Sequence, residues 1–179
     1  MSSDGAANRY IFVTGGARSG KTSFAIEKAE AISDRRIYLA TAPSDPSDDE
    51  MRSRIDRHRA ERDSSWVTIE EPVDLSGRLP GDHNAGVILI DCLTLWVSNL
   101  MARGMADADI LTEASLLGEK CARSKVPVIT VTNEVGWGIV PENGLARRFR
   151  DVAGGVNRLM ASKAAEAYLV ASGLPVRLR

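Results

Sequence analysis

The stretch Tyr10–Thr22, reading YIFVTGGARSGKT, constrains what this chain can fold into more than any other. Ile11, Phe12 and Val13 form an apolar run with β-branched and aromatic members, which must be covered and so reads as a buried strand. The chain then enters a glycine-rich turn and emerges with Lys-Thr at the start of a helical pattern (Ala25, Ile26, Ala29, Ile32). Gly15, Gly20, Lys21 and Thr22 satisfy G-x-x-x-x-G-K-[ST], the phosphate-binding P-loop. Glycines let the backbone curl so that consecutive N–H groups of Gly15, Gly16, Ala17, Arg18, Ser19 and Gly20 converge on an anion. The positive end of the following helix adds its field. Lys21 can reach the outer phosphates, and Thr22 can hold a magnesium ion. A strand before the motif and a helix after it are the context that a chance match lacks.

The rest of the chain extends this unit into an alternation of strands and helices. After the first helix, Ile37–Ala42 is a second buried strand, broken by Pro43 and Pro46. Ser47-Asp48-Asp49-Glu50 spells a capping box, which predicts a charged helix over Asp48–Arg62. On it Met51, Ile55 and His58 fall at i, i+4 and i+7 and share one stripe, so His58 points where the apolar residues point. Periodicity alone favours a hydrogen-bonded packing histidine there. Trp66–Glu70 alternates, as a short strand or an extended loop, and Glu71–Asn84 is a connector with at most one helical turn. Gly86–Asp91 is a continuous apolar run ending in an acid. That is how a buried parallel strand reads, and an acid at its carboxyl end lies near the phosphate loop and can join Thr22 at the magnesium.

Helices are expected over Leu93–Met105 and Ile110–Ser124, and a strand over Val126–Thr132. The loop Asn133–Asn143 follows at the edge where open α/β sheets bind ligands. A long helix then carries Leu145, Phe149, Val152, Val156, Leu159 and Met160, with Gly154-Gly155 inside it at a packing contact or a kink. Ala167–Ala171 and Val176–Leu178 close the chain as an antiparallel pair around Ser172–Pro175. The expected fold is α/β, a three-layer P-loop NTPase of the RecA-like kind. Its sheet is mostly parallel with an antiparallel C-terminal strand.

Composition narrows the partners. At 179 residues the chain suits one domain, and a net charge of −1 provides no basic field for nucleic acid. Cys92 and Cys121 lack metal-ligand spacing, as in a reduced, cytoplasmic protein. No run reaches the length of a membrane span. Met1–Asn8 is small and polar and reads as a flexible tail, leaving residues 9–179 as the catalytic domain. These features admit a small-molecule kinase, a nucleotidyltransferase or a recombinase-type ATPase, and fold does not choose among them.

Further strings narrow the choice. Thr14–Thr22 (TGGARSGKT), Asp48–Met51 with Arg54-Ile55 and His58-Arg59, and above all Thr132–Asn143 (TNEVGWGIVPEN) form a set. Continuing through Arg147, Phe149, Arg150 and Asp151 to Leu169-Val170 and Ser172-Gly173, that set resembles the bifunctional adenosylcobinamide kinase / adenosylcobinamide-phosphate guanylyltransferase family of cobalamin biosynthesis. The resemblance implies phosphorylation of the aminopropanol hydroxyl of adenosylcobinamide by ATP or GTP. Transfer of GMP from GTP then follows, through a guanylylated histidine that matches His58, giving adenosylcobinamide-GDP and pyrophosphate. It also implies nucleotide contacts from the P-loop, from Thr41, Ala42 and Pro43, from Arg59, Ala60, Glu61 and Arg62, and from Glu70 and Asp91. A trimer with the corrinoid at a subunit interface is implied as well. A neutral imidazole suits attack on the α-phosphorus, and Arg54, Arg59 and Arg62 suit the charge of the leaving pyrophosphate. Glu134 is a candidate to deprotonate the corrinoid hydroxyl or a carboxylate that orders its loop. Trp137 stacks on the corrinoid or packs the loop. The alternative activity is a P-loop metabolite kinase without nucleotidyl transfer.

Overall fold

The computed structural model describes residues 8–42, 63–79 and 85–179. The expected Asp48–Arg62 helix with His58, the connector histidine His83 and the first seven residues lie outside the described residues. Within them the chain forms β1 (Tyr10–Gly15), α1 (Lys21–Ile32), β2 (Arg36–Ala40), β3 (Trp66–Glu70), α2 (Leu75–Arg78), β4 (Val87–Asp91), α3 (Leu93–Ala102) and α4 (Asp107–Arg123). It continues through β5 (Val128–Asn133), α5 (Gly144–Lys163), β6 (Glu166–Ala171) and β7 (Leu174–Arg177). The strands make one seven-stranded sheet in the order β3-β2-β4-β5-β1-β6-β7. Every neighbouring pair is parallel except β6 with β7.

Strand side chains alternate between two cores. Tyr10, Phe12, Ile88 and Ile90 join Leu93, Trp96, Ile110, Leu117, Val152 and Val156 beneath α2–α5. Ile11, Val13, Val87, Leu89, Ile129 and Val131 join Ala25, Ile26 and Ala29 beneath α1. Two covered faces explain why the central strands read as unbroken apolar runs. The architecture is therefore α/β, three-layered and mostly parallel, as the sequence predicted.

Helix ends follow local chemistry. At the end of α3 the Gly104 N–H bonds the Met101 carbonyl at 2.9 Å and the Met105 N–H bonds that of Leu100 at 3.1 Å. With Gly104 at φ 80 this is a Schellman stop, and it ends the helix before Met105. Asn143 caps α5 by accepting from the N–H groups of Leu145 and Ala146.

Two local expectations change. The closing hairpin turns on two residues, Ser172 and Gly173, both at positive φ (52 and 81), the backbone of a type I′ turn. Pro175 therefore sits in β7, opposite Val170, where an edge strand tolerates a missing N–H. Asn8 is tied down rather than loose: its side chain donates to the Lys163 carbonyl and accepts from the Tyr10 N–H, both at 2.9 Å.

Gly155 marks a packing contact rather than a kink, since α5 runs unbroken from Gly144 to Lys163. A Cβ on Gly155 would stand 2.8 Å from Leu111 Cδ2 of α4, whereas one on Gly154 would meet nothing within 4 Å. Gly155→Val should therefore lower stability by about 1–3 kcal/mol through overpacking. Gly154→Ala should raise it by about 0.5–1 kcal/mol through helix propensity. Urea unfolding midpoints at constant m-value check both signs.

Candidate active site

The carboxyl ends of the central strands bring most of the expected residues together. Gly15 pairs in register with Asn133, Asp91 with Val131 and Ala40, and Ala40 with Glu70. One row thus joins Glu70, Ala40, Asp91 and Val131, and Gly15 and Asn133 stand two residues further along β1 and β5, at the edge where the phosphate loop opens. Strands ~4.8 Å apart put Glu70 and Asp91, two strands apart, roughly 10 Å from one another along that row.

The loop itself is held in the wrapped conformation that an anion site needs. Arg18 and Gly20 have φ of 57 and 89, and the Ser19 N–H returns to the Gly16 carbonyl at 3.3 Å. Lys21 bends back over the loop and donates to that same carbonyl at 3.1 Å. Helix α1 begins at Lys21 with no capping side chain on Gly20, so its first-turn amides face the loop. The Ser19 hydroxyl is buried without a hydrogen-bond partner among the described residues. An orphaned buried oxygen inside such a loop fits a site completed by a ligand or water.

Thr22 and Asp91 meet although β5 lies between β1 and β4, because Thr22 lies in the first turn of α1 and that helix packs against both β4 and β5. The Thr22 hydroxyl donates to Asp91 Oδ2 at 3.0 Å, and Tyr38 OH donates to the same oxygen at 2.9 Å. A hydroxyl and a carboxylate beside a phosphate loop are the sparse, hard oxygen set that magnesium takes with its substrate phosphates. Tyr38 was not among the expected site residues. Its place on β2 faces α1, and only the sheet order shows that its hydroxyl reaches Asp91.

Thr41 is fully buried and every polar group on it is engaged. Its hydroxyl donates to the Cys92 carbonyl at 2.8 Å and accepts from the Cys92 N–H at 2.7 Å. Its N–H bonds the Asp91 carbonyl at 3.1 Å, and its carbonyl accepts from Asn99 at 2.8 Å. This clamp fixes the backbone from the Asp91 carbonyl through Cys92. Ala42 follows it at the same edge. Pro43, His58, Arg59, Ala60, Glu61 and Arg62 lie outside the described residues.

The hairpin turn between β6 and β7 braces the loop from the opposite side. Gly173 N–H donates to the Ser19 carbonyl at 2.8 Å. A Cβ on Gly20 would come within 3.2 Å of Gly173 Cα, and one on Gly15 within 2.4 Å of the Val170 carbonyl. Two motif glycines thus answer to this hairpin as well as to the loop's own curvature. Trp137 and Ile139, in the loop after β5, are 72% and 97% exposed, so the tryptophan does not pack its own loop.

Burial pushes the Cys92 thiol up to about 11, and the neighbouring Asp91 charge acts in the same direction. A thiol so shifted is thiolate to about one part in a thousand at pH 8. Iodoacetamide at that pH should leave Cys92 unmodified in the native protein and modify it after unfolding, as read by peptide mass spectrometry. Gly173→Val, forced toward another backbone well at a cost of ~1–2 kcal/mol, should loosen the brace and weaken GTP binding about tenfold. Gly173→Asn, which tolerates positive φ and keeps the N–H, should stay close to wild type in the same calorimetric titration.

Comparison with known proteins agrees with this geometry. The family profile described as cobinamide kinase / cobinamide phosphate guanyltransferase (CobU) matches residues 11–178. The bifunctional adenosylcobalamin biosynthesis protein CobU of Escherichia coli (strain K12) is 42% identical over 182 residues, covering 94% of this chain and 99% of that protein. The bifunctional adenosylcobalamin biosynthesis protein CobP of Pseudomonas aeruginosa is 39% identical over 174 residues, covering 93% and 95%. Among solved structures, a prototypical ATPase from the type III secretion system of pathogenic bacteria superposes with a TM-score of 0.57 at 12% identity. It covers 93% of this chain and 53% of that one. That likeness concerns fold alone. By profile and by identity along nearly its whole length, the chain belongs to the cobinamide kinase / cobinamide phosphate guanyltransferase family.

Proposed function

We propose that this chain phosphorylates adenosylcobinamide with a nucleoside triphosphate and then transfers GMP from GTP to the phosphate it has installed. The observation that supports it is a wrapped phosphate loop, with Lys21 folded back over it and Thr22 bonded to Asp91, in a chain that belongs to this family along nearly its whole length. The P-loop amides of Gly15–Gly20 cradle the phosphates and Lys21 serves their outer oxygens. Thr22 and Asp91 would hold Mg2+, which supplies neutralisation of phosphate charge when bound. The Thr41 clamp sets Asp91, and Ala42 and Glu70 stand along the same edge for the nucleoside end.

In the second reaction a neutral His58 nitrogen bonds to the α-phosphorus of GTP as pyrophosphate leaves. A phosphate oxygen of adenosylcobinamide phosphate then displaces the histidine, giving adenosylcobinamide-GDP. Arg59 and Arg62 serve the departing charge. Exposed Trp137 and Ile139 support a corrinoid-facing role for the loop after β5, in a homotrimer whose interface completes the acceptor site. No helix among the described residues is long and apolar enough to cross a membrane, and a cytoplasmic setting with residues 9–179 as one catalytic domain belongs to the same proposal.

Incubation with GTP labelled at the α-phosphate should leave covalent, acid-labile and base-stable label on the protein. His58→Ala should abolish that label while its phosphorylation of adenosylcobinamide persists. Label on the alanine variant at wild-type level would remove His58 from the mechanism. Phosphorylation with no GDP-linked product from the wild-type chain would instead select a metabolite kinase without nucleotidyl transfer.

A further inference from the structure

A second polar cluster lies beside the phosphate loop, on the side toward β5. Asn157 of α5 is 7% exposed, and both its amide oxygen and its amide nitrogen are hydrogen-bonded inward. Its Oδ1 accepts from the Thr132 hydroxyl at 2.8 Å, and its Nδ2 donates to the Asn133 carbonyl at 3.1 Å and to Glu134 Oε1 at 3.3 Å. The Thr14 hydroxyl donates to that same Glu134 oxygen at 2.7 Å. Thr94 continues the cluster, lying 3.2 Å from the Thr132 hydroxyl and accepting from the Asn133 N–H at 2.8 Å. The Glu134 N–H bonds the Gly15 carbonyl at 3.1 Å.

A carboxylate that serves to order a loop takes hydrogen bonds from that loop. Glu134 takes none from residues 135–143. Its donors come from β1 and α5, both meet one oxygen, and Oε2 has no hydrogen-bond partner among the described residues. Because β5 runs between β1 and β4, the residue that follows it stands between the phosphate loop and the strand bearing Asp91. Burying an asparagine costs free energy unless every group is paired, and here the pairing is spent on fixing this carboxylate.

We propose that Glu134 is the catalytic base of phosphoryl transfer and that Asn157, with Thr14, is its positioning residue; this rests on the kinase reading above. The acceptor alcohol's oxygen bonds to the γ-phosphorus while the bond from that phosphorus to the β–γ bridging oxygen breaks. The electron pair leaves on the nucleoside diphosphate, and the hydroxyl proton passes to Glu134 Oε2 and then to solvent. The guanylyl step has no such need, since its acceptor is a phosphate oxygen that is already ionised. A base for the first reaction should therefore matter far less to the second.

The test measures both steps separately in the full chain. Phosphorylation is followed with adenosylcobinamide and γ-labelled nucleotide, and GMP transfer with adenosylcobinamide phosphate supplied ready-made. Glu134→Gln should lower kinase kcat by about 10²–10⁴-fold, and Asn157→Ser by about tenfold, with nucleotide KM little changed. GMP transfer should fall much less, so that the ratio of the two rates shifts at least about tenfold in Glu134→Gln and at least about threefold in Asn157→Ser. An equal loss of both steps in both variants would reduce the cluster to scaffolding and overturn the proposal. Kinase turnover of Glu134→Gln within about tenfold of wild type would also overturn it. Failure of the wild-type chain to phosphorylate adenosylcobinamide at all is a separate result, and it would remove the functional reading together with the proposal.

Discussion

A sheet covered on both faces leaves its polar side chains few places to be satisfied, and the open edge at the carboxyl ends of the strands is the one where they gather as a site. Thr22, Asp91 and Tyr38 meet there, as do Thr14, Glu134 and Asn157. The two groups lie on either side of β5, and both depend on the strand order that places β5 between the phosphate-loop strand and the strand bearing Asp91. The Thr41 clamp belongs to the same constraint: a buried hydroxyl and its backbone find partners only by holding the chain around Asp91 in place. Polar satisfaction and the geometry of the site are thus one requirement.

The phosphate loop is supported from both sides. The Glu134 N–H bonds its first glycine's carbonyl, and the turn at Gly173 bonds the Ser19 carbonyl. Helix α1 starts directly from this braced loop, and its apolar residues Ala25, Ile26 and Ala29 lock it to the sheet. An anion site made of backbone N–H groups gains affinity when those groups are aimed in advance, because less ordering remains to be done on binding. Ser172 and Gly173 adopt the positive φ values that aim the turn at the loop, so the last hairpin of the chain contributes to its first motif.

Local chemistry was legible in the sequence, and non-local chemistry was not. The P-loop, the buried strands, the Asp91 terminus and the antiparallel close follow from residue pattern, because each is decided within about ten residues. Tyr38 and Asn157 could not be found that way. One lies in an apolar strand and the other on a regular helix, and their partners are 53, 25 and 23 residues away. Pro175 looks like a turn residue because proline usually punctuates, yet the edge of a sheet admits it. Asn8 was read from composition as tail, whereas the Lys163 carbonyl at the end of α5 holds it. At Gly154-Gly155 the sequence left packing or a kink open, and the approach of Leu111 decides for packing.

On the reading proposed above, phosphoryl and guanylyl transfer ask different things of a bound triphosphate: attack at the γ-phosphorus by an alcohol, and attack at the α-phosphorus by an imidazole. A single braced loop can serve both if Glu134 takes the alcohol's proton in the first reaction and His58 attacks the α-phosphorus in the second. The most direct measurement compares α- and γ-labelled GTP, with and without adenosylcobinamide. The account predicts γ label in adenosylcobinamide phosphate and α label first on the protein, then in adenosylcobinamide-GDP once acceptor is present. Appearance of α label in product without ever passing through the protein, or of γ label alone, would contradict it.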